Sequence, residues 1–154
     1  MNRSKFYATV RHSLFGGNLD QAQVDGMEGI IDAFDTHGDS MADTLAYAFA
    51  TAYHETGRRM SPVRETFASS DDQAIRRLDN WAKKKGRTKN IYWRRQAPYD
   101  EAYFGRGHVQ LTWKANYKKS SIDAGVDLVR NPAAMLDPKI SARVLIKGLL
   151  VGRW

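Results

Sequence analysis

The hydrophobic positions along the chain recur mainly at helical spacing. Residues 4–15 and 20–36 both place apolar side chains three or four positions apart, and Gly16-Gly17 separates the two stretches. This spacing predicts two amphipathic helices joined by a glycine turn, a helical hairpin. The apolar positions are Phe6, Val10 and Leu14 in the first helix and Val24, Met27, Ile30, Ile31 and Phe34 in the second.

A third helix is predicted from near Ser40 to Gly57. Ser40 and Asp43 have the spacing of a capping box, and glycine is a frequent C-terminal stop. Alanine and aromatic residues at helical spacing form the apolar stripe between these ends. Glu55 therefore falls in the last turn of this helix.

Later helices are indicated by the same start and stop signals. Ser70 opens a capping pattern ahead of a basic stretch that ends at Gly86, and residues 113–124 have helical spacing. Asp137-Pro138 is typical of an N-cap followed by a first-turn proline, which predicts a last helix, KISARVLIKGLLVG, over residues 139–152.

Residues 103–112, YFGRGHVQLT, are the exception to the helical pattern. Two glycines precede residues that favour β structure, which predicts a tight turn and a small β-hairpin or extended segment. At 154 residues, the chain has the length of one domain. We therefore predict a single, mainly α domain over residues 1–154.

Composition narrows the possible chemistry. The absence of cysteine excludes disulfides, thiolate metal sites and a cysteine nucleophile. The N-terminus lacks the uninterrupted apolar stretch of a signal peptide, and no later window has the length of a membrane span. The expectation is a monomer that is made in the cytoplasm without a signal peptide.

The net charge of +7 is concentrated in one segment. Residues 76–119 contain 13 Lys/Arg against 3 Asp/Glu, whereas residues 1–75 contain 6 against 11. This basic segment favours an anionic partner, which leaves nucleic acid, lipid headgroups and a charged cell-wall polymer open. Since no nucleic-acid-binding motif accompanies it, we expect no nucleic-acid partner. Residues 71–85 have a composition that also suits an amphipathic, membrane-disrupting helix.

The His54-Glu55 pair raises the question of a metal site. A zinc metalloprotease helix needs a second histidine four positions after the first, but position 58 is Arg58. No other histidine has ligand spacing, so no metal and no cofactor are expected. His54 is predicted to be a buried, hydrogen-bonded residue that orients its surroundings.

Glu55 and Glu65 are candidates for acid/base chemistry. Glu55 lies at the border of the apolar stripe and at a helix C-terminus, two features that favour a protonated carboxyl group. Glu65 lies in a loop flanked by Arg58, Arg59 and Arg64, which favour a carboxylate. Two carboxyl groups in contrasting surroundings suit acid/base hydrolysis. The alternative is an amphipathic border residue and a surface glutamate that balances the local arginines.

Two longer motifs point to a family. AYHETG at residues 52–57 and YFGRGHVQLTWKANY at residues 103–117, with PVRET between them, closely resemble the signature regions of glycoside hydrolase family 19. That family contains chitinases and phage or prophage endolysins, and the resemblance runs from about residue 20 to the end of the chain. It implies a lysozyme-like, two-lobed helical domain with a cleft.

The resemblance also assigns roles to the two glutamates. Glu55 would be the general acid that protonates the glycosidic oxygen, and Glu65 would activate a water molecule on the opposite face of the sugar. Because the family inverts the anomeric centre, the two carboxyl groups should lie roughly 6.5 to 9.5 Å apart.

The other site residues implied by the resemblance bind substrate. Thr112 would hold the attacking water and Asn116 would contact an acetamido group. Phe104 is expected in the core, whereas Tyr103 and Trp113 could each be either core residues or aromatic surface for sugars. The full substrate-binding set is His54, Tyr103, Gln110, Thr112, Trp113 and Asn116.

The short connection between the glutamates and the lack of cysteines favour the compact endolysin branch. Together with the basic segment, this places bacterial peptidoglycan ahead of chitin as the expected substrate, reached after release by a separate pore-forming protein. Family domains usually continue beyond residue 154, so the chain is expected to be C-terminally short. Chitinase activity and a non-catalytic, carbohydrate-binding relic remain the alternatives.

Overall fold

Helices make up most of the molecule. The computed structural model describes residues 1–87, 89 and 91–153, so positions 88 and 90 of the basic segment and position 154 of the predicted domain lie outside it. The α-helices of this described part are α1 (Arg3–Ser13), α2 (Gln21–His37), α3 (Ala42–Glu55), α4 (Asp71–Lys84), α5 (Lys114–Ala124) and α6 (Pro138–Leu150). Short 3-10 helices span Glu65–Phe67 and Pro132–Leu136. The predicted mainly α class is confirmed.

Several helix starts are set by local capping. Asp137 accepts hydrogen bonds from the backbone N–H groups of Lys139 and Ile140, at 2.9 and 3.0 Å, which confirms the predicted start of α6. The Ser70 hydroxyl accepts from the Gln73 N–H at 3.2 Å, as predicted for α4.

The predicted capping box of α3 is wrong. Ser40 lies outside the helix with φ 63°, and the N-cap is Met41, which makes no side-chain capping bond. Asp39 holds the entry to the helix instead, because its carboxylate accepts from the Met41 N–H at 3.0 Å and from the Thr44 hydroxyl at 2.8 Å. These two bonds tie the residue before the helix and a side chain of its first turn to Asp39, without capping the N–H groups of that turn.

A small antiparallel sheet joins two distant parts of the chain. Strand β1 (Val63–Arg64) pairs with strand β2 (Arg106–Gly107), with Val63 opposite Gly107 and Arg64 opposite Arg106. Arg106 also pairs with Leu111 around a tight turn. The predicted extended segment at 103–112 is therefore confirmed, and its strand partner is the PVRET loop.

The apolar interior consists of three clusters around this sheet. The first buries the facing sides of α2, α3 and α6, with α1 packed against them through the stacked rings of Phe6 and Phe49. The second buries one side of α4 against Trp93 and Phe104. The third lies between α5 and α6. Strand β2 contacts α4 through the bond from Arg106 to Asp71. The next residue, His108, donates its N–H to Ser141 of α6, so the sheet links α4 to α6.

The apolar side of α4 is already used by the fold. Ala74, Leu78 and Ala82 are buried, and Leu78 retains only 4% of its exposure. Insertion of this helix into a membrane surface would require its cluster to open. Within the described residues, no helix is both long and apolar enough to cross a bilayer.

Candidate active site

Glu65 is held by donors from two different parts of the chain. The Tyr92 hydroxyl donates to Oε1 at 2.6 Å, and the Gly105 N–H donates to Oε2 at 2.8 Å. The Glu65 N–H in turn donates to the Gly105 carbonyl at 2.7 Å. Because side chain and backbone are both tied to the second motif, the orientation of this carboxylate is fixed. Each oxygen keeps lone-pair capacity for a further donor such as water.

The predicted arginine environment of Glu65 is wrong. Arg64 donates to Asp71 at 2.7 Å, and the Arg59 guanidinium lies over the Phe67 ring at 3.9 Å. Arg58 lies 5.7 Å from the centroid of the Tyr53 ring. Across residues 1–87, 89 and 91–153, no ion pair involves Glu65. Tyr92 and Gly105 supply the polar contacts that the arginines were expected to make.

Glu55 is the last residue of α3, as predicted, and is partly buried. Its carboxylate makes no hydrogen bond or ion pair within the described part of the chain. The turn after it is anchored by buried Thr56, whose hydroxyl donates to the Ala52 carbonyl at 2.7 Å and accepts from the Met60 N–H at 2.9 Å. The predicted spacing between the carboxyl groups of Glu55 and Glu65 stays a prediction.

The connection between the two glutamates has an unusual backbone. Left-handed φ values are costly for residues other than glycine, especially β-branched ones, and persist where tertiary contacts impose them. One such contact is the hydrogen bond from Arg77 Nη1 to the Thr66 carbonyl, at 2.8 Å. Within this connection and in the two residues just after Glu65, φ lies between 53° and 70° at Gly57, Arg58, Met60, Thr66 and Phe67.

An aromatic depression adjoins Glu65. The rings of Tyr92 and Trp113 lie 5.0 Å apart between centroids. With Trp81, Trp93 and residues 86, 87 and 89 they line a depression of about 490 Å³. A second cavity of about 280 Å³, which includes Glu65, shares Trp81 and Tyr92 with it. The exposed rings of Trp81 and Trp113 suit stacking against sugar rings.

The two aromatic candidates of the second motif differ in position. Tyr103 is fully buried, and its hydroxyl donates to the Val129 carbonyl at 2.9 Å. Its assignment as a substrate-binding side chain is therefore wrong, because the ring belongs to the cluster between α5 and α6. Trp113 is 46% exposed and lines the depression, so it remains a candidate. Phe104 is buried, which confirms its expected place in the core.

The polar candidates of this motif all donate side-chain hydrogen bonds to backbone carbonyls. The Gln110 amide donates to the Val63 carbonyl at 3.0 Å and the Thr112 hydroxyl donates to the Gln110 carbonyl at 2.7 Å. The Asn116 amide donates to the Thr112 carbonyl at 2.9 Å. All three are partly buried and retain acceptor oxygens, so their roles toward substrate stay predictions.

The buried histidine is His108 rather than His54. His54 is exposed, so the prediction of a buried, orienting residue is wrong. His108 is 1% exposed, with Nε2 3.0 Å from the Met60 carbonyl. Burial lowers the pKa of His108 to about 4, which keeps the ring neutral at neutral pH. The His108 ring therefore braces the turn that follows Glu55.

A buried arginine network supports the Gly105 backbone. Arg106 is fully buried, donates to Asp71 at 2.6 Å and to the carbonyl of Ala102 at 2.8 Å, and stacks over Phe104 at 3.7 Å. Burial opposes ionisation of Asp71, but the charge of Arg106 and the hydrogen bonds from Arg64 and Arg106 outweigh it and hold the pKa of Asp71 below its usual range. This network was not predicted.

Tyr92 is a second residue of the candidate site that the sequence did not predict. It lies in a loop of mixed aromatic and basic residues, and its contact with Glu65 spans 27 positions. Burial, together with the hydrogen bond to Glu65 and the charge of that carboxylate, raises the pKa of the Tyr92 hydroxyl. Tyr92 is thus a protonated donor at neutral pH. In the described residues no group of three or more His, Asp or Glu side chains is placed to hold a metal ion.

Comparison with known proteins identifies related sequences. A family model described as chitinase class I, of glycoside hydrolase family 19, matches residues 21–147. Chitinase 5 of Oryza sativa subsp. japonica is 29% identical over 112 residues, which cover 72% of this chain and 33% of that protein. Endochitinase 1 of Theobroma cacao is 52% identical over 40 residues, which cover 25% of this chain and 12% of that protein.

Chitinase 11 of Oryza sativa subsp. japonica is 44% identical over 50 residues, covering 32% of this chain. The chain spans only about a fifth of the length of this relative and a third of Chitinase 5. No solved structure matches the chain.

Proposed function

We propose that this chain, which belongs to glycoside hydrolase family 19, hydrolyses β-1,4 bonds of N-acetylhexosamine polymers. The observation that carries the proposal is the fixed carboxylate of Glu65, which accepts from Tyr92 and from the Gly105 backbone beside an aromatic depression. An oriented carboxylate next to exposed rings is what an enzyme needs to activate water against a stacked sugar.

In this mechanism Glu55 is the general acid and Glu65 is the general base. Glu65 removes a proton from water as the water oxygen attacks the anomeric carbon. Glu55 donates its proton to the glycosidic oxygen as the bond between that oxygen and the anomeric carbon breaks. Attack from the face opposite the leaving group inverts the anomeric configuration. Thr112 is assigned to hold the attacking water and Asn116 to contact an acetamido group.

Peptidoglycan is the proposed polymer, because the basic segment 76–119 offers exposed positive charge to an anionic wall. Part of that charge is neutralised internally: Arg94 pairs with Asp79, Arg95 with Asp72, and Arg106 is buried. The exposed cations that remain around the end of α4 include Lys83, Lys84, Lys85, Arg87 and Lys89. Under this proposal, the cell wall is the site of action.

Chitin hydrolysis is the second candidate. The relatives that match this chain are named chitinases and an endochitinase, and aromatic stacking with amide contacts would serve either polymer. The two candidates differ in whether the cationic surface contributes to substrate binding.

Product analysis tests the proposal. Purified peptidoglycan and chitin oligomers are each incubated with the wild type, Glu55→Gln, Glu65→Gln and the control Asp43→Asn, an exposed acid at the start of α3. We expect soluble muropeptides of defined mass, initial products of inverted configuration by NMR, and losses of about 100-fold or more in the two glutamine variants.

The outcomes separate the candidates. Turnover of chitin alone would reject peptidoglycan in favour of the chitinase candidate. Binding to either polymer without turnover would support the non-catalytic relic, and full activity of Glu55→Gln would remove the assigned acid.

A further inference from the structure

The depression beside Glu65 combines aromatic surface with positive charge. Its exposed rings are Trp81, at 40% exposure, and Trp113, at 46%, while Trp93 is 2% exposed and forms a buried part of the lining. Arg87 and Lys89 also line it, and no Asp or Glu does so among the described residues. The ligand that suits this surface has an apolar ring face and a negative charge.

Arg87 is held at this position by the end of α4. Its backbone N–H donates to the Ala82 carbonyl at 2.9 Å, and its guanidinium lies 4.9 Å from the centroid of the Trp81 ring. A guanidinium placed over an indole keeps its in-plane donors available for a carboxylate. Arg87 is exposed and has no ion-pair partner among the described residues.

Asp79 of α4 is bonded to a residue that lines the depression and is already engaged. Asp79 accepts from the Trp93 indole N–H at 2.7 Å and from Arg94 at 3.1 Å. It therefore supports the Trp93 side chain and does not neutralise Arg87 or Lys89. The charge of these two residues is available to a ligand.

From these contacts we infer that the depression is a subsite for an N-acetylated sugar that bears a carboxylate, with the pyranose ring against Trp81 and Trp113 and the carboxylate at Arg87 and Lys89. The inference rests on the proposed hydrolase function and adds a basis for choosing among its substrates. A neutral N-acetylglucosamine unit would fill the aromatic part and leave both cations unused. The carboxylate is either the lactyl group of a muramic acid residue or a carboxylate of the attached peptide.

Matched charge removal tests this subsite. The test variant is Arg87→Gln/Lys89→Gln, and the control is Arg11→Gln/Lys5→Gln, which removes one exposed arginine and one exposed lysine from α1. Binding is followed by tryptophan fluorescence in the Glu55→Gln background, and kcat/KM is measured with Glu55 intact. The ligands are peptide-free glycan with free lactyl carboxylates, the same glycan as its methyl ester, the intact peptide-bearing glycan, and neutral chitin oligomers of equal length.

We expect the test variant to lose about three- to ten-fold in affinity for acidic glycans, with neutral oligomers unchanged. The loss should shrink as the ionic strength rises from about 0.05 M to about 0.5 M. Preference for free lactyl glycan over its methyl ester would identify the lactyl source. A preference seen only with the peptide-bearing glycan would identify the peptide source.

Equal losses for acidic and neutral ligands, or equal losses in the control, would overturn the subsite. If the wild type binds acidic glycan in this way but cleaves neither polymer, the proposed hydrolase fails while the subsite stands. If it cleaves both polymers and the test variant keeps the wild-type ratio of kcat/KM values, the subsite alone fails.

Discussion

The Tyr92 hydroxyl donates a hydrogen bond of 2.6 Å to Glu65 Oε1, although the two residues lie 27 positions apart. This bond fixes the orientation of the Glu65 carboxylate, so Tyr92 is a positioning residue for the proposed base. It also places the Tyr92 ring between Glu65 and Trp113, whose ring centroid is 5.0 Å away.

Removal of this hydroxyl tests its positioning role. Tyr92→Phe keeps the ring contacts and deletes the donor, and a hydrogen bond to a charged group contributes about 1.5 to 3 kcal/mol. We expect kcat to fall by about 10- to 100-fold with KM nearly unchanged, as measured by steady-state kinetics. Because the bond is also part of the folded state, the melting temperature should fall by about 3 to 12 °C, as measured by thermal unfolding. Tyr47→Phe is the control, since Tyr47 is 63% exposed. A parallel rise in KM would show that the ring, rather than the hydroxyl, is affected.

The Asp71–Arg106 pair should contribute strongly to stability. Asp71→Asn leaves the fully buried guanidinium of Arg106 without its carboxylate, and breaking such a pair from one side costs about 3 to 5 kcal/mol. The control Asp72→Asn removes an exposed partner of Arg95 and should cost less than about 1 kcal/mol. Urea unfolding measures both changes in the free energy of unfolding.

A double substitution separates the ion pair from simple packing. Asp71→Asn/Arg106→Met removes the uncompensated charge, so it should cost less than the sum of the two single changes. Additive losses would contradict a coupled pair.

Alanine substitution at two glycines of α2 should change the free energy of unfolding in opposite directions. A Cβ on Gly26 would lie 2.2 Å from the Met60 carbonyl oxygen, whereas a Cβ on Gly29 meets nothing within 4 Å. Gly29→Ala should stabilise the protein by about 0.5 to 1 kcal/mol through helix propensity. Gly26→Ala should destabilise it and displace the turn that carries Met60, with a loss of activity. Equal effects on the free energy of unfolding would show that the approach of this turn to α2 is not constraining.

His108 should make stability depend on pH. Its pKa is about 4 in the folded protein against an ordinary value of 6.5, so the unfolded chain takes up a proton first as the pH falls. The contribution of neutral His108 to the free energy of unfolding is fully present above pH 6.5 and decreases as the pH falls from 6.5 to 4. The total decrease from this residue is about 3 kcal/mol.

Urea titrations across this pH window measure the effect. His108→Gln should flatten the slope in that range, although its stability at pH 7 is lower because the fit to the Met60 carbonyl is lost. An unchanged slope would assign the pH dependence to other groups.

The sequence by itself determined the features that depend on near neighbours. Asp137 starts α6 and Ser70 starts α4 through bonds to N–H groups two or three positions away, and Glu55 ends α3 as its glycine stop predicts. The failure at Ser40 has the same origin, because Asp39 was an equally suitable local acceptor. Pairing of the two motifs also indicated the family to which the chain belongs.

Only the tertiary structure decided which side chains of the motifs are available. Tyr103 and Trp113 lie in one motif, yet Tyr103 is fully buried and bonds to the Val129 carbonyl, while Trp113 lines the depression. His54 is exposed although the histidine-glutamate pair suggested a buried role. Burial depends on how separate elements pack, and no spacing within one element reports it.

The same reason explains the surroundings of Glu65. The arginines near Glu65 in sequence contact Asp71, Phe67 and Tyr53 instead. The donors to the carboxylate are Tyr92 and Gly105, which lie 27 and 40 positions away in the sequence. Helix ends follow from bonds that a few consecutive residues can complete. The environment of the proposed base follows from strand β1 meeting strand β2, a contact that exists only once the chain has folded.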